Sequence, residues 1–496
     1  MNASIMPLRA AFLILLSALS SLAQNADPVS TVPSAALVPA PNSPYSIGVQ
    51  TQAIASGDFN GDGLPDLVVV NGTLSFTLTI LLATRDGEFV PAPGNQLSVG
   101  EVGSVALAVA DFNGDGILDI ASLGQLALTI FVGDGQGGFS PTPFSPIDIY
   151  ALGLFGSDAI GVGDFNGDGN PDLVIVDLDT AGDVLVLLGD GKGNFSPAPG
   201  SPTHTGQAAK GVAVADFNMD GHLDVAITYG TANQVGILLG DGMGRLSPDP
   251  KGPFPTGDYP LAIVPGDFNG DGKPDLAVVN WSQGTMSVLL GDGTGGFVPG
   301  PDTNIAPDYI SVESLAVGDM DGDGILDLVL PGGNKSAGLA VLLGDGKGGF
   351  EVSASGPLPG MPLALTLADF NGDGRLDVAT VDYSEGTVSV YLGAQSAESS
   401  LTLTASENPT TSVPVALSVV AHTSGFRAPT GTVTIRDGSN VVATGNLVDG
   451  AARFRAQFTA GEHTLVAVYL GDARTTGSAS PPLTINVTDV PRRRRR

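Results

Sequence analysis

Seven nine-residue segments of one pattern, Asp-x-[Asn/Asp]-x-Asp-Gly-x-x-Asp, recur along the chain at spacings of 50 to 53 residues. They begin at Asp58, Asp111, Asp164, Asp216, Asp267, Asp319 and Asp369. Carboxylates at positions 1 and 5, an amide or carboxylate at 3 and a main-chain carbonyl at 7 can converge on one ion, and Asp at 9 offers two more oxygens. Such an oxygen-only set suits a hard divalent cation, and the expected ion is Ca²⁺, up to seven per chain. Magnesium prefers to keep its waters, and zinc or iron would call for His or Cys.

The expected ligands of the first loop are Asp58, Asn60, Asp62, the carbonyl of Leu64, and Asp66. The second supplies Asp111, Asn113, Asp115, Ile117 and Asp119, and the third Asp164, Asn166, Asp168, Asn170 and Asp172. The fourth has Asp216, Asn218, Asp220, His222 and Asp224, with His222 at the position where only the backbone is needed. The fifth, sixth and seventh are Asp267, Asn269, Asp271, Lys273, Asp275; Asp319, Asp321, Asp323, Ile325, Asp327; and Asp369, Asn371, Asp373, Arg375, Asp377. Position 6 is Gly in all seven, as a backbone turning through positive φ requires. A plain Asp-rich turn is the simpler reading. Against it stands the repulsion of at least three carboxylates within nine residues, kept in every copy.

The elements that hold these loops are short. In the third copy a small and apolar run from Ala159 leads in, and Leu173 to Val176 leaves. Val184 to Leu188 follows and ends in Gly-Asp-Gly, a hairpin signal; Phe195 opens a fourth run. Each run is too short for a helix and rich in Val, Ile and Leu, so four antiparallel strands are expected per repeat. A period near 52 residues of this kind predicts a seven-bladed β-propeller over 37–393, with an open solenoid as the alternative. The ends favour a ring. The seventh copy stops at Val388-Ser-Val-Tyr-Leu-Gly393 without its fourth strand, while Leu37 to Gly48 matches Phe195 to Gly206 in pattern. The chain should therefore begin with the outer strand of its last blade, removing an exposed sheet edge.

The strings Asp-Phe-Asn-Gly-Asp-Gly-x-x-Asp and Leu-Leu-Gly-Asp-Gly-x-Gly-x-Phe resemble the FG-GAP/VCBS repeat of integrin α-subunit propellers and of many secreted bacterial proteins. The resemblance covers about 37 to 393. It implies a calcium-binding propeller that meets partners on the face away from the acidic loops. Two copies depart from the pattern: Met219 stands where six copies have Gly, and the first hairpin reads Thr84-Arg-Asp-Gly-Glu-Phe89.

The formal charge is −31, and 22 of the 51 acidic residues lie in the seven loops. Seven divalent ions would bring it to about −17, still acidic enough to disfavour nucleic acid and anionic membrane. Residues 1–23 read as a signal peptide: Arg9, an apolar Ala10 to Leu22, and a small-x-small site at Ser21-Leu22-Ala23. An uncleaved anchor is the alternative, although the apolar stretch is short for a span. After cleavage no integral membrane span is expected. The address is secreted or cell-surface, and with no cysteine in 496 residues, calcium and strand closure must stabilise the protein there.

Near Ser396 the composition changes. From 401 onward there are 10 Arg, no Lys and 6 acidic residues. Alternating runs such as Gly431 to Arg436 and His463 to Tyr469 predict a β-sandwich over 400–489. Pro429 to Gly438 and Ala460 to Asp472 resemble bacterial Ig-like repeats, which imply a spacer or adhesive module. Residues 490–496, ending in Arg492 to Arg496, are expected to be a disordered basic tail.

No catalytic constellation is evident. The four histidines, His204, His222, His422 and His463, sit in unrelated contexts, and no nucleophile elbow, zinc motif or phosphate loop is present. The expectation is a non-catalytic adhesion or protein-interaction module for an extracellular protein or glycan. A carbohydrate-binding lectin is the rival, and a polysaccharide lyase or hydrolase on a propeller is the third reading. Tyr229, Trp281 and Tyr383 each follow the second strand of their repeat and mark a candidate ligand rim, although ordinary rim residues would look the same.

Overall fold

The computed structural model describes residues 37–48, 50–71, 76–99, 104–178, 182–305, 314–332, 338–354, 362–393, 399–406, 413–423, 428–448, 450–471 and 475–489. The expected signal peptide and basic tail lie outside these residues. The described residues are all-β, with no α-helix and one short 3-10 turn at Gly230–Ala232.

The described residues of 37–393 form seven antiparallel sheets, one per repeat. In the third repeat the strands are Ser157–Gly163, Asp172–Asp177, Asp183–Gly189 and Phe195–Pro197, with Thr203–His204 continuing the outer edge. The second strand is buried throughout because it is covered on both faces by neighbouring sheets. This explains its unbroken apolar sequence. The fourth strand differs from expectation. In repeats two to five and at the N-terminus it is split into three-residue and two-residue pieces. Prolines cause the split: Phe139-Ser-Pro-Thr-Pro-Phe-Ser-Pro146 offers too few N–H groups for a continuous ladder.

Leu37–Pro39 pairs with Tyr391–Gly393, and Tyr45–Ser46 pairs with Thr387–Val388. The N-terminal strand thus completes the sheet of the seventh repeat. The first strand of each repeat packs beside that of the next, and Ile54–Gly57 of the first packs beside Pro362–Ala368 of the seventh. Seven apolar clusters fill the spaces between successive sheets. One of them joins Leu67, Val69 and Phe89 of repeat one to Phe370, Ala379 and Val388 of repeat seven.

The position-2 residue of each acidic loop belongs to these clusters. Phe59, Phe112, Phe165, Phe217, Phe268 and Phe370 are at most 2% exposed. Five of these rings lie edge-on to an aromatic ring that opens the fourth strand of the following repeat, as Phe59 does to Phe139 and Phe112 to Phe195. The same repeats are linked through the backbone: Gly137, Gly193, Gly244, Gly295 and Gly348 donate to the carbonyls of Phe59, Phe112, Phe165, Phe217 and Phe268. Burying one such side chain contributes roughly 1.5–3 kcal/mol, so loop and inter-sheet core stabilise each other.

The described residues of 399–487 form two further sheets. One orders Ser399–Ala405, Val415–Thr423 and Ala451–Ala456. The other orders Asn440–Asn446, Thr432–Asp437, Gly461–Gly471 and Thr476–Ala479, with Leu483–Val487 also paired to Gly461–Gly471. Their inner faces share one core that includes Leu403, Val419, Ile435 and Tyr469. Inward and outward residues alternate along Val415–Thr423, as expected of a sandwich.

Candidate functional site

Each acidic loop turns its oxygens inward onto its own backbone. In the first, Asp58 Oδ1 accepts N–H from Gly61 at 2.8 Å and Asp62 at 3.2 Å, and Oδ2 accepts from Gly63 at 2.9 Å. Asn60 Oδ1 accepts from Asp62 and Asp62 Oδ1 from Leu64, each at 2.9 Å. The second, third, fifth and sixth loops repeat the whole set. The turn needs positive φ twice: +86° at Gly63, as expected, and +75° at Gly61, position 4. Met219 holds position 4 of the fourth loop at φ +58°, a region that a side chain disfavours.

The position-9 carboxylate has a second role that spacing alone did not reveal. Asp66, Asp119, Asp172, Asp224, Asp275, Asp327 and Asp377 are all fully buried. One oxygen of each accepts the N–H of position 2, as Asp172 does from Phe165 at 2.8 Å. The other accepts the N–H at the end of the third strand, as Asp172 does from Gly189 at 2.8 Å. This residue therefore fastens the loop to the sheet, and apart from Asp224 Oδ2, which also accepts the Asn218 N–H at 3.2 Å, each oxygen keeps a second lone pair. Burial pushes Asp172 up to about 6, with the nearby Asp168 and Asp164 charges adding to the rise. Asp168 at position 5 is instead held below the ordinary carboxylate range by the Asn170 N–H and the Asn166 amide.

In the sixth loop, carboxylate oxygens of Asp319, Asp321 and Asp327 lie within 4.8 Å of one another. Three converging acidic groups at that separation fit a small hard cation. Position-7 side chains cover the neighbouring hairpin. A Cβ on Gly191 would fall 2.4 Å from Asn170 Oδ1, and one on Gly242 would fall 2.3 Å from His222 Nδ1. The acidic loops and the Asp-Gly hairpins therefore share one face. In the fifth loop Lys273 Nζ lies 3.1 Å from Asp271 Oδ2 and places a cation of the chain's own at position 5.

The opposite face carries the connections after strands two and four. Trp281 and Tyr383 lie there, half-buried. Tyr229 is a correction: it is 6% exposed and packs with Val176, Val184 and Ile227. It ends a strand covered on both sides, so its ring turns into the inter-sheet core rather than to the rim. Three more exposed side chains of this face follow no sequence pattern of the repeats. Tyr150 and Phe155 are 53% and 55% exposed, edge-on at 5.1 Å, beside Leu126 at 42%. Buried Ile149 and Leu154 anchor that turn, and the Phe155 N–H is held by Asp177. The turn's one signal in the sequence is length: the connection from Ser140 to Ala159 is longer than its counterparts in the other repeats. His204 pairs through Nδ1 with the buried Asp183, its direct cross-strand neighbour.

A model of the FG-GAP-like repeat matches residues 58–122, 111–175, 164–227, 216–278 and 267–330. A model of the bacterial Ig-like domain (group 3) matches 401–488. Among curated proteins, the chain is 26% identical over 266 residues to the T-cell immunomodulatory protein of Rattus norvegicus, covering 50% of this chain and 42% of that protein. It is 30% identical over 215 residues to the phosphatidylinositol-glycan-specific phospholipase D of the same species, covering 36% of this chain and 24% of that one. The chain thus spans less than half the length of the curated relatives it matches.

Proposed function

The chain belongs to the FG-GAP-like repeat proteins and carries a bacterial Ig-like domain, and from this premise we propose that it is a secreted or cell-surface, calcium-loaded, non-catalytic binding module. In this reading 37–393 is a seven-bladed propeller closed by its N-terminal strand. Up to seven Ca²⁺ ions sit in the acidic loops, held by the residues at positions 1, 3, 5 and 9 and the carbonyl at 7. The ions would offset the mutual repulsion of the carboxylates, and loop order would in turn fix the buried position-2 side chains. Ligands would be met on the opposite face, and the Ig-like domain would serve as a spacer or second contact.

The observation that carries this reading is the contrast between the two faces. One consists of near-identical turns that bind their own backbone. The other displays Tyr150 and Phe155 on a turn with buried anchors, beside Leu126 of the neighbouring connection, and exposed aromatic side chains on a rigid frame are the usual material of interfaces. Retention of the protein on purified cell-envelope and extracellular-matrix preparations tests it. Wild type should bind with calcium present and release on chelation, and the Tyr150→Ala, Phe155→Ala double variant should bind at least ten-fold more weakly. Steady turnover of a phosphodiester or polysaccharide by the wild-type protein would overturn the non-catalytic assignment.

A further inference from the structure

On the face away from the acidic loops, the connection before the first strand of repeat five is clamped to two neighbouring turns. Asp258 Oδ1 accepts from Asn233 Nδ2 at 3.0 Å, and Oδ2 accepts from Gln283 Nε2 at 2.8 Å. The Tyr259 N–H donates to Asn233 Oδ1 at 2.9 Å, and the Trp281 N–H to the Tyr259 carbonyl at 2.9 Å. The Tyr259 and Trp281 rings meet at 5.4 Å with 54° between their planes. Both are half-buried, while Asp258 and Gln283 are exposed.

We propose that this cluster is a subsite for a neutral glycan. A pyranose would lie against the exposed surface of Tyr259 and Trp281, with its hydroxyls bonded by Asp258, Asn233 and Gln283. The assignment rests on the reading of the propeller as an extracellular binding module and names the ligand class of one of its sites.

Three features support it. Tyr259 sits at φ +60°, a conformation that a non-glycine residue keeps only when its surroundings impose it; such positions gather at functional sites. Room for its ring is reserved, because a Cβ on Gly230 would come within 3.3 Å of Tyr259 Cε1. The polar groups around the rings are planar carboxylate and amide groups, already fixed in orientation, each retaining lone pairs or N–H for further bonds. Such groups match adjacent hydroxyls, which donate and accept at once. Charge narrows the ligand further. The cluster carries one negative group and no positive one, on a chain of formal charge −31, so anionic glycans are repelled. A cation is the poorer match: the cluster offers a single carboxylate, and the two rings lean on each other instead of forming a box.

Trp281 is the sole tryptophan of the chain, so its emission reports on this site alone. The full-length protein in calcium buffer is titrated with neutral hexasaccharides of glucan, mannan, galactan, xylan and chitin. At least one series should give a saturable blue shift. Calorimetry with that sugar should show at least ten-fold weaker binding for Tyr259→Ala and Trp281→Ala, and unchanged binding for Tyr150→Ala. Trp281→Phe, which keeps a ring, should fold normally and lose several-fold in affinity. A shift produced by tetramethylammonium or an arginine peptide but by none of the sugars would overturn the glycan assignment. Equal sugar binding by wild type and Trp281→Ala would overturn the site. Neither result touches retention through Tyr150 and Phe155, so failure here is distinct from failure of the wider reading.

Discussion

Phe370 of the last acidic loop lies edge-on to Phe89 of the first repeat, with ring centroids 5.5 Å apart and planes at 72°. The same contact links each of four earlier loops to the repeat that follows it. Residues 281 positions apart in sequence therefore meet as sequential neighbours do elsewhere. Phe370→Ala or Phe89→Ala should each destabilise the protein by about 3–5 kcal/mol, the usual result of emptying a buried aromatic site. A double-mutant cycle should find about 0.5–1.5 kcal/mol of coupling between them. Additive effects in denaturant unfolding would show that the two rings act independently.

The N-terminal strand should be essential to the whole repeat array. Removing residues 37–48 takes away the partner of Thr387–Val388 and Tyr391–Gly393 and the Ser43 hydroxyl that accepts the Val390 N–H. It also leaves a bare sheet edge. A lower melting temperature together with concentration-dependent association in sedimentation is expected. An unchanged melting curve would contradict the role given to this strand.

Calcium titration of the chelator-stripped protein should approach seven sites, and chelation should lower the melting temperature. Two variants of the third loop separate ligation from fastening. Asp168 is exposed and bonds only within its loop, so Asp168→Ala should remove one site at little cost to the apo fold. Asp172 also holds Phe165 and Gly189, so Asp172→Ala should remove the site and leave two buried N–H groups unpaired, at about 1–3 kcal/mol each. Equal apo stabilities for the two variants would refute this division.

The fourth loop should bind calcium most weakly, because Met219 stands where a glycine is otherwise found. Met219→Gly relieves a left-handed side-chain conflict of about 1–2 kcal/mol but adds about 0.5–1 kcal/mol of backbone entropy lost on folding. The net change in apo stability should therefore be about 1 kcal/mol or less, with the main gain in affinity of the weakest site. Calorimetry resolves the two quantities.

The Ig-like domain should respond to pH through one pair. His463 Nδ1 lies 2.6 Å from Asp437 Oδ2, and this bond holds the imidazole above its ordinary range, aided by the Thr459 carbonyl. A raised folded-state value stabilises the protonated form. Its contribution should be complete below the unfolded value near 6.5 and fade as pH rises through the folded one. His463→Gln should flatten that part of the stability curve. A flat wild-type profile over the same range would refute the pairing.

The loops, the first three strands of each repeat and the crossing of the N-terminus to the last sheet were all legible in sequence, for one reason. Each depends on local geometry or on a pattern seven times repeated: glycine at positive φ, apolar runs of strand length, carboxylates at alternate positions. The burial of Tyr229 was not legible, because the side of a strand that is solvated depends on a neighbouring sheet about 50 residues away. Nor was the anchoring role of Asp172, whose second partner, Gly189, arrives from the third strand. The meeting of Tyr259 and Trp281 joins two connections that carry no repeat signal. The sequence by itself determined the repeating unit and its acidic loops. Only the tertiary structure decided which aromatic rings outside the acidic loops turn inward, as Tyr229 does, and which remain in reach of a ligand, because that choice is made by packing between chain segments far apart.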